Sequence, residues 1–202
     1  ALQDPPVVLV TGYEPFADYS TNSSKQVVKY LSKMGIEGLD IRTEILPVEY
    51  AAVKKRSQEL IEKLQPLLTI HCGMNCEARA ILIEQEARNS GYYIADELDQ
   101  LPERNCCMNP AAPECLSTGI DLEALVAKVS KISPLPVRIS RNAGNYVCEF
   151  LYYCSLSRCR RTLFVHLPYI SRKFTRHSLF GVLKEIIIHA VRQCKRHGDD
   201  YN

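Results

Sequence analysis

Apolar residues recur along this chain at two different spacings, and the changes of spacing mark out its elements. Residues 7–12 (VVLVTG) form an unbroken apolar run closed by a glycine, the pattern of a strand buried on both faces. In 22–35 (NSSKQVVKYLSKMG) a serine-rich start leads into Val27, Val28, Leu31 and Met34 at helical spacing, and Gly35 supplies a stop. A second strand is expected over 41–46 (IRTEIL), ended by Pro47. Residues 50–64 predict a polar helix with Val53, Leu60, Ile61 and Leu64 on one face, again closed by proline. LLTIHCG (67–73) reads as a third buried strand. This βαβαβ order predicts parallel strands with helices on both faces of the sheet.

The pattern then loosens. AILIEQEA (80–87) is strand-like, with Ile81 and Ile83 on one face and Leu82, Glu84 and Glu86 on the other. Residues 89–119 carry turn residues and no sustained period, so a long loop is expected there, serving as a lid or a substrate wall. DLEALVAKV (121–129) aligns Leu122, Leu125, Val126 and Val129 as an amphipathic helix. Strands are expected at 136–140 and 162–168, with a helix near 146–157 between them. A last helix over roughly 178–197 carries Leu179, Leu183, Ile186, Ile187, Ala190 and Cys194. The predicted fold is a single-domain, three-layer α/β/α sandwich around a mostly parallel twisted sheet, spanning 1–202.

Composition narrows the function classes. The chain has 202 residues, 46% hydrophobic and 24% charged, which is ordinary for a globular domain. A formal net charge of +2 gives no reason to expect nucleic acid or an anionic membrane as a partner. No apolar run approaches the roughly 18 residues that span a bilayer. The start, ALQDPP, lacks the charged lead and apolar run of a signal peptide, so export is not expected. Nine cysteines, an odd number spread through a chain of this size, read as thiols in a reducing compartment, and the expected setting is cytoplasmic. Their spacing lacks the paired knuckles of a zinc site, and no phosphate loop or dinucleotide fingerprint is present, so neither metal nor cofactor is expected.

Three residues stand out for chemistry. Cys148 follows the polar, glycine-containing SRNAGNYV and falls in the first turn of a predicted helix. Helix-start amides favour a thiolate and can hold a developing oxyanion. The competing reading is a buried cysteine packed as a small hydrophobe. His166 ends a strand, at the sheet edge where open α/β proteins place their ligands, and an imidazole there can move protons for a thiol. His177, His189 and His197 have charged or basic surroundings, and burial accounts for His71. A carboxylate could orient His166, but Glu84 and Glu86 share parity and the residues alone leave both open.

Four segments in this order resemble the pyrrolidone-carboxylate peptidase family of cysteine peptidases: VLVTGYEPFADYSTNSS (8–24), ILIEQEARNSGY (81–92), ISRNAGNYVCEFLYY (139–153) and LFVHLP (163–168). The resemblance runs over about 7–196. It implies removal of an N-terminal pyroglutamyl residue from small peptides, with Cys148 as nucleophile, His166 as base and then acid, and Glu84 rather than Glu86 as the orienting carboxylate. It further implies that Tyr13 and Phe16 pack on the pyroglutamyl ring, with Asn22 matching the asparagine of that loop. Such a ring is small, flat and uncharged, which suits aromatic faces.

The chain departs from the family pattern at several places. Ala17 stands where glycine is usual and Tyr13 where phenylalanine is. Met74 and Ala78 replace a glutamine and an arginine of many bacterial members, Asn145 a frequent arginine, and Glu97 an asparagine. The cysteine-rich 103–115 resembles the animal forms more than the bacterial ones. These changes motivate an alternative: a paralogue that binds blocked peptide N-termini or a partner with little turnover. A further alternative uses Cys148 with Cys154 or another thiol as a redox sensor. Oligomeric state is not readable from the sequence.

Overall fold

The computed structural model describes residues 4–197; the first three residues of ALQDPP and positions 198–202 lie outside them, as does the side chain of His197. Eight strands and five α-helices follow in order: β1 (Val7–Tyr13), α1 (Ser23–Met34), β2 (Asp40–Leu46), α2 (Tyr50–Leu64), β3 (Leu68–Met74), β4 (Ile81–Glu84), β5 (Glu86–Arg88), β6 (Cys115–Ser117), α3 (Leu122–Ser130), β7 (Val137–Ser140), α4 (Val147–Leu156), β8 (Thr162–Leu167) and α5 (Arg176–His197). Six strands form one sheet in the order β2-β1-β3-β8-β4-β7. All neighbours are parallel except β4, which runs antiparallel to β8.

The two central strands, β3 and β8, are buried along their whole length, which is why their sequences are near-continuous apolar runs. Helices cover both faces. α1, α3 and α5 pack together over one face, and Val28, Leu31, Leu125, Leu183 and Ile187 fill the core beneath them. α2 and α4 pack over the other, around Tyr50, Val53, Phe150, Leu151 and Phe164. The expected α/β/α architecture is what the chain adopts.

The helix ends follow their local chemistry. Asn22 caps α1 by accepting the Ser24 amide at 2.9 Å, and Asp121 caps α3 through the Ala124 amide at 2.9 Å. Gly35 closes α1 in a conformation with φ of 61°, which suits glycine. One detail of the expected α1 face is corrected: Met34 is 59% exposed, because the last turn runs past the edge of the core.

Two expectations for the middle of the chain also change. The strand-like 80–87 splits at Gln85, and β5 leaves the main sheet to pair antiparallel with β6 in a two-stranded ribbon. The segment 89–119 is therefore not a plain loop. It contains β6, a short 3-10 turn at Glu103–Asn105 and a bridge between Ser90 and Cys106. Side chains pin the rest. Asn89 accepts the Met108 amide at 2.9 Å, and Asp96 accepts the amides of Leu98, Gln100 and Tyr50 at 2.9, 3.0 and 2.9 Å. Through Tyr50, Asp96 ties this segment to the start of α2.

Candidate active site

Three separate elements bring Cys148, His166 and Glu84 together around the C-terminal half of β8. His166 is the fifth residue of β8, and its register partners are Gly73 on β3 and Leu82 on β4. Glu84 ends β4, where the antiparallel pairing turns its side chain toward the imidazole. His166 Nδ1 donates to Glu84 Oε1 at 2.8 Å, with the His166 side chain 7% exposed and the carboxylate completely buried. Cys148 is the second residue of α4, with its thiol against the same ring. The strand split decides between the two carboxylates: Glu86 sits in the ribbon and pairs with Arg141 at 3.3 Å.

Gly73 makes this convergence possible. A Cβ at that position would lie 2.9 Å from Cys148 Sγ and 3.0 Å from the Phe164 ring, so only glycine lets α4 bring its sulfur this close to β3. Electrostatics then favour a charged imidazole. Burial by itself would lower His166, but hydrogen bonds with Cys148 and Glu84, followed by their charges, outweigh it and push the group up to about 10. The second carboxylate oxygen, Oε2 of Glu84, is buried without a hydrogen-bond partner. A carboxylate so placed is compensated chiefly by the adjacent imidazolium.

The start of α4 differs from the starts of α1 and α3. Tyr146 precedes the helix and makes no capping bond with its side chain. The first amides of a helix have no intrahelical acceptor, so those around Cys148 are available to an anion. The loop before them is braced by Glu149. Its carboxylate accepts the Asn145 amide at 2.6 Å, the Arg88 amide at 3.0 Å, and the Arg88 guanidinium at 2.9 and 3.2 Å. Asn145 has φ of 51° there, a left-handed conformation that asparagine tolerates. The sequence reading passed over Glu149. A signal was present, since it is the one charged residue in the otherwise apolar VCEFLYYCSL.

Beside the sulfur is a cavity of about 20 Å³ lined by Tyr13, Phe16, Asn22, Val48, Met74, Tyr146 and Cys148. It has room for about one water, so a ring can enter only if its lining opens. The three residues singled out in the first loop all line it. Asn22 is committed to the fold: it caps α1 and its amide nitrogen donates to the Glu14 carbonyl at 3.2 Å. Tyr13 directs its hydroxyl at the Val147 carbonyl, 3.3 Å away. Burial first, then the charge and hydrogen bond of Cys148, push that hydroxyl well above its ordinary range. Val48 and Tyr146 escaped the sequence reading. Two departures from the family pattern meet at the rim, where the Ala17 amide donates to Glu97 Oε1 at 3.1 Å and Ala17 holds φ of 49°.

Among the described residues no group of three or more His, Cys, Asp or Glu side chains is placed to hold a metal, and no helix is long and apolar enough to cross a membrane. All nine cysteines are unpaired. Cys154 lies with the buried Cys107 in the core under α4.

Residues 7–194 match the family described as pyroglutamyl peptidase. Pyroglutamyl-peptidase 1 of Rattus norvegicus is 34% identical over 183 residues, covering 89% of this chain and 87% of that protein. The human pyroglutamyl-peptidase 1-like protein is 36% identical over 161 residues, covering 78% and 81%. Among solved structures, the pyrrolidone carboxyl peptidase of Pyrococcus furiosus superposes with a TM-score of 0.84 at 25% identity, over 93% of this chain and 99% of that one.

Proposed function

The chain belongs to the pyroglutamyl peptidase family, and from that premise we propose that it hydrolyses the N-terminal pyroglutamyl residue from small peptides as one catalytic unit. The observation that carries the reading is the His166 ring held between Glu84, at 2.8 Å, and the Cys148 thiol. Cys148 gives its proton to His166, and the thiolate attacks the carbonyl that joins the lactam residue to the next residue. The uncapped amides at the start of α4 hold the oxyanion as the tetrahedral centre forms. His166 then protonates the departing amine, the C–N bond breaks, and an acyl-enzyme remains. A water gives a proton to the imidazole as it attacks the thioester, and pyroglutamate leaves as the thiolate reforms. Glu84 fixes the ring orientation and balances its charge. Tyr13, Phe16 and Asn22, with Val48, Met74 and Tyr146, form the wall against which the lactam ring packs. The reaction requires neither metal nor cofactor. Nine unpaired thiols support a reducing, cytoplasmic setting.

A second reading, binding with little turnover, draws on the cavity. Met74 Sδ already accepts the Ser23 amide at 3.4 Å, and Asn22 is spent on its cap, so few polar groups are left to recognise the lactam. One assay separates the two. Cys148→Ala, compared with the unaltered protein on a pyroglutamyl-linked chromophore, is expected to lose at least about 10⁴-fold in rate with its thermal midpoint retained. An unaltered protein that binds the substrate without releasing chromophore favours the second reading. A variant that keeps full activity overturns the mechanism.

A further inference from the structure

A second opening lies past the C-terminal end of β8, and nothing in the chemistry above uses it. It has a volume of ≈570 Å³, and three loops line it, contributing Tyr19, Cys76 and Arg79, and Tyr169 and Lys173. That size falls within the roughly 300–1,000 Å³ typical of ligand sites.

This cavity adjoins the ring cavity. The Ser23 amide donates to Met74 Sδ at 3.4 Å, and Ser23 Oγ accepts the Ile170 amide at 3.0 Å. One serine thus ties a wall of the ring cavity to the loop that lines the second opening. A row of aromatic rings also passes from one to the other, with centroids 5.8 Å apart for Phe16 and Tyr19 and 6.1 Å apart for Tyr19 and Tyr169.

The direction of the reaction selects the occupant. The departing amine takes its proton from His166, so the peptide beyond the cleaved bond must lie across that imidazole. The chain that continues past His166 is Leu167, Pro168 and Tyr169, and Tyr169 is on the rim of this cavity. Three residues span at most about 11 Å of chain, and two extended peptide residues cover about 7 Å, so the ends of a short leaving peptide come within reach of the cavity wall.

Its chemistry is specific. Tyr19 and Tyr169 are 40% and 42% exposed, offering faces to a side chain. The Arg79 guanidinium bonds to the carbonyls of Glu77 and Ala78 at 3.2 and 3.5 Å, and Lys173 Nζ lies 5.3 Å over the Phe174 ring. Neither cation is in an ion pair with a carboxylate among the described residues, and no acid lines the cavity; Glu77 is the neighbour in sequence of its wall residues Cys76 and Ala78.

We propose that this cavity is the subsite for the peptide released by the reaction, and that it favours short peptides whose free C-terminal carboxylate meets Arg79 and Lys173. The inference rests on the function proposed above. The experiment compares kcat/KM for pyroglutamyl-phenylalanyl-alanine as the free acid and as its C-terminal amide. The acid should be preferred about fivefold, the upper range for exposed charge pairs. The preference should fall toward one in the double variant Arg79→Gln/Lys173→Gln. It should do the same for the unaltered protein in 1 M salt, where the screening length is about 3 Å. Equal rates for acid and amide in the unaltered protein overturn the subsite alone, as does a preference that survives both the variant and the salt. Failure to cleave either peptide removes the underlying reading and this inference with it.

Discussion

Two buried histidines on adjacent central strands have opposite fates. His71 on β3 stands level with Phe164, and His166 on β8 stands level with Gly73, two rungs along the same ladder. Both are almost wholly buried, at 0% and 5% exposure. His71 lies between two hydroxyls, Thr11 Oγ1 on Nδ1 at 2.7 Å and Ser155 Oγ on Nε2 at 2.8 Å, and burial lowers it to about 3. His166 has a carboxylate and a thiol in the corresponding places and rises to about 10. Desolvation pulls both rings the same way, so the neighbours decide. Neutral hydroxyls satisfy a neutral ring and make it part of the core, whereas the Cys148 sulfur together with a buried carboxylate keeps the ring charged.

Removing that carboxylate tests the contrast most severely. Glu84→Gln keeps the side-chain shape and a hydrogen-bond acceptor but deletes the charge. His166 should then titrate lower, with Cys148 still holding it above its neighbour, and turnover of a pyroglutamyl chromophore should fall about 10³–10⁴-fold, by analogy with the loss of the orienting acid in other triads. Imidazole titration by NMR and steady-state kinetics check both parts. Activity within tenfold of the unaltered protein would show that Glu84 is not what separates the two rings.

Stability against pH gives the next largest effect, with opposite signs for the two histidines. His71 sits below the ordinary imidazole value of about 6.5, so between pH 6.5 and 3 the unfolded chain binds a proton that the folded one does not. Its contribution is intact above 6.5 and is lost on acidification, by a few kcal/mol at the low end. His166 sits above that value, so its contribution is full below 6.5 and is lost as the pH rises through about 10. Urea midpoints measured from pH 3 to 10 should therefore peak near neutrality. In His71→Gln the acid limb should flatten while the alkaline limb stays. An acid limb unchanged in that variant would assign the loss to other groups.

The regular part of this arrangement was legible from the sequence because periodicity and stop signals agree there: β1, α1, β3 and α3 lie within a residue or two of expectation. The segment 89–119 was opaque because its order comes from Asn89, Asp96 and three-residue strands, and such contacts leave no repeating pattern. Alternation alone left the choice between Glu84 and Glu86 open for a related reason, and only the family resemblance implied Glu84. Alternation assumes one continuous strand, and the chain leaves the sheet at Gln85, whose amide and carbonyl pair with Ser140 and Thr118 respectively. Cys148 and His166 were readable from position alone as candidates, since each falls where a strand end or a helix start meets the sheet edge. Position alone did not show that they meet; the family resemblance implied it, and the contact depends on what Gly73 lacks.

The smallest effect sharpens the comparison at its source, since β1 supplies a hydroxyl to each centre. Thr11 serves His71, and two residues further on the same face Tyr13 brings its hydroxyl to the Cys148 thiol beside His166. That hydroxyl is held protonated chiefly by burial, so toward the sulfur it can act only as a donor. Its proton is shared with the Val147 carbonyl at 3.3 Å, a long bond, which limits the gain. Tyr13→Phe removes the donor while leaving the aromatic wall of the ring cavity in place. Alkylation of Cys148 by iodoacetamide at neutral pH should slow about threefold, as expected for one partly shared hydrogen bond. The thermal midpoint should stay close to that of the unaltered protein. An unchanged alkylation rate would mean that the hydroxyl serves the helix backbone alone, leaving His166 and Glu84 to set the sulfur's reactivity without help from β1.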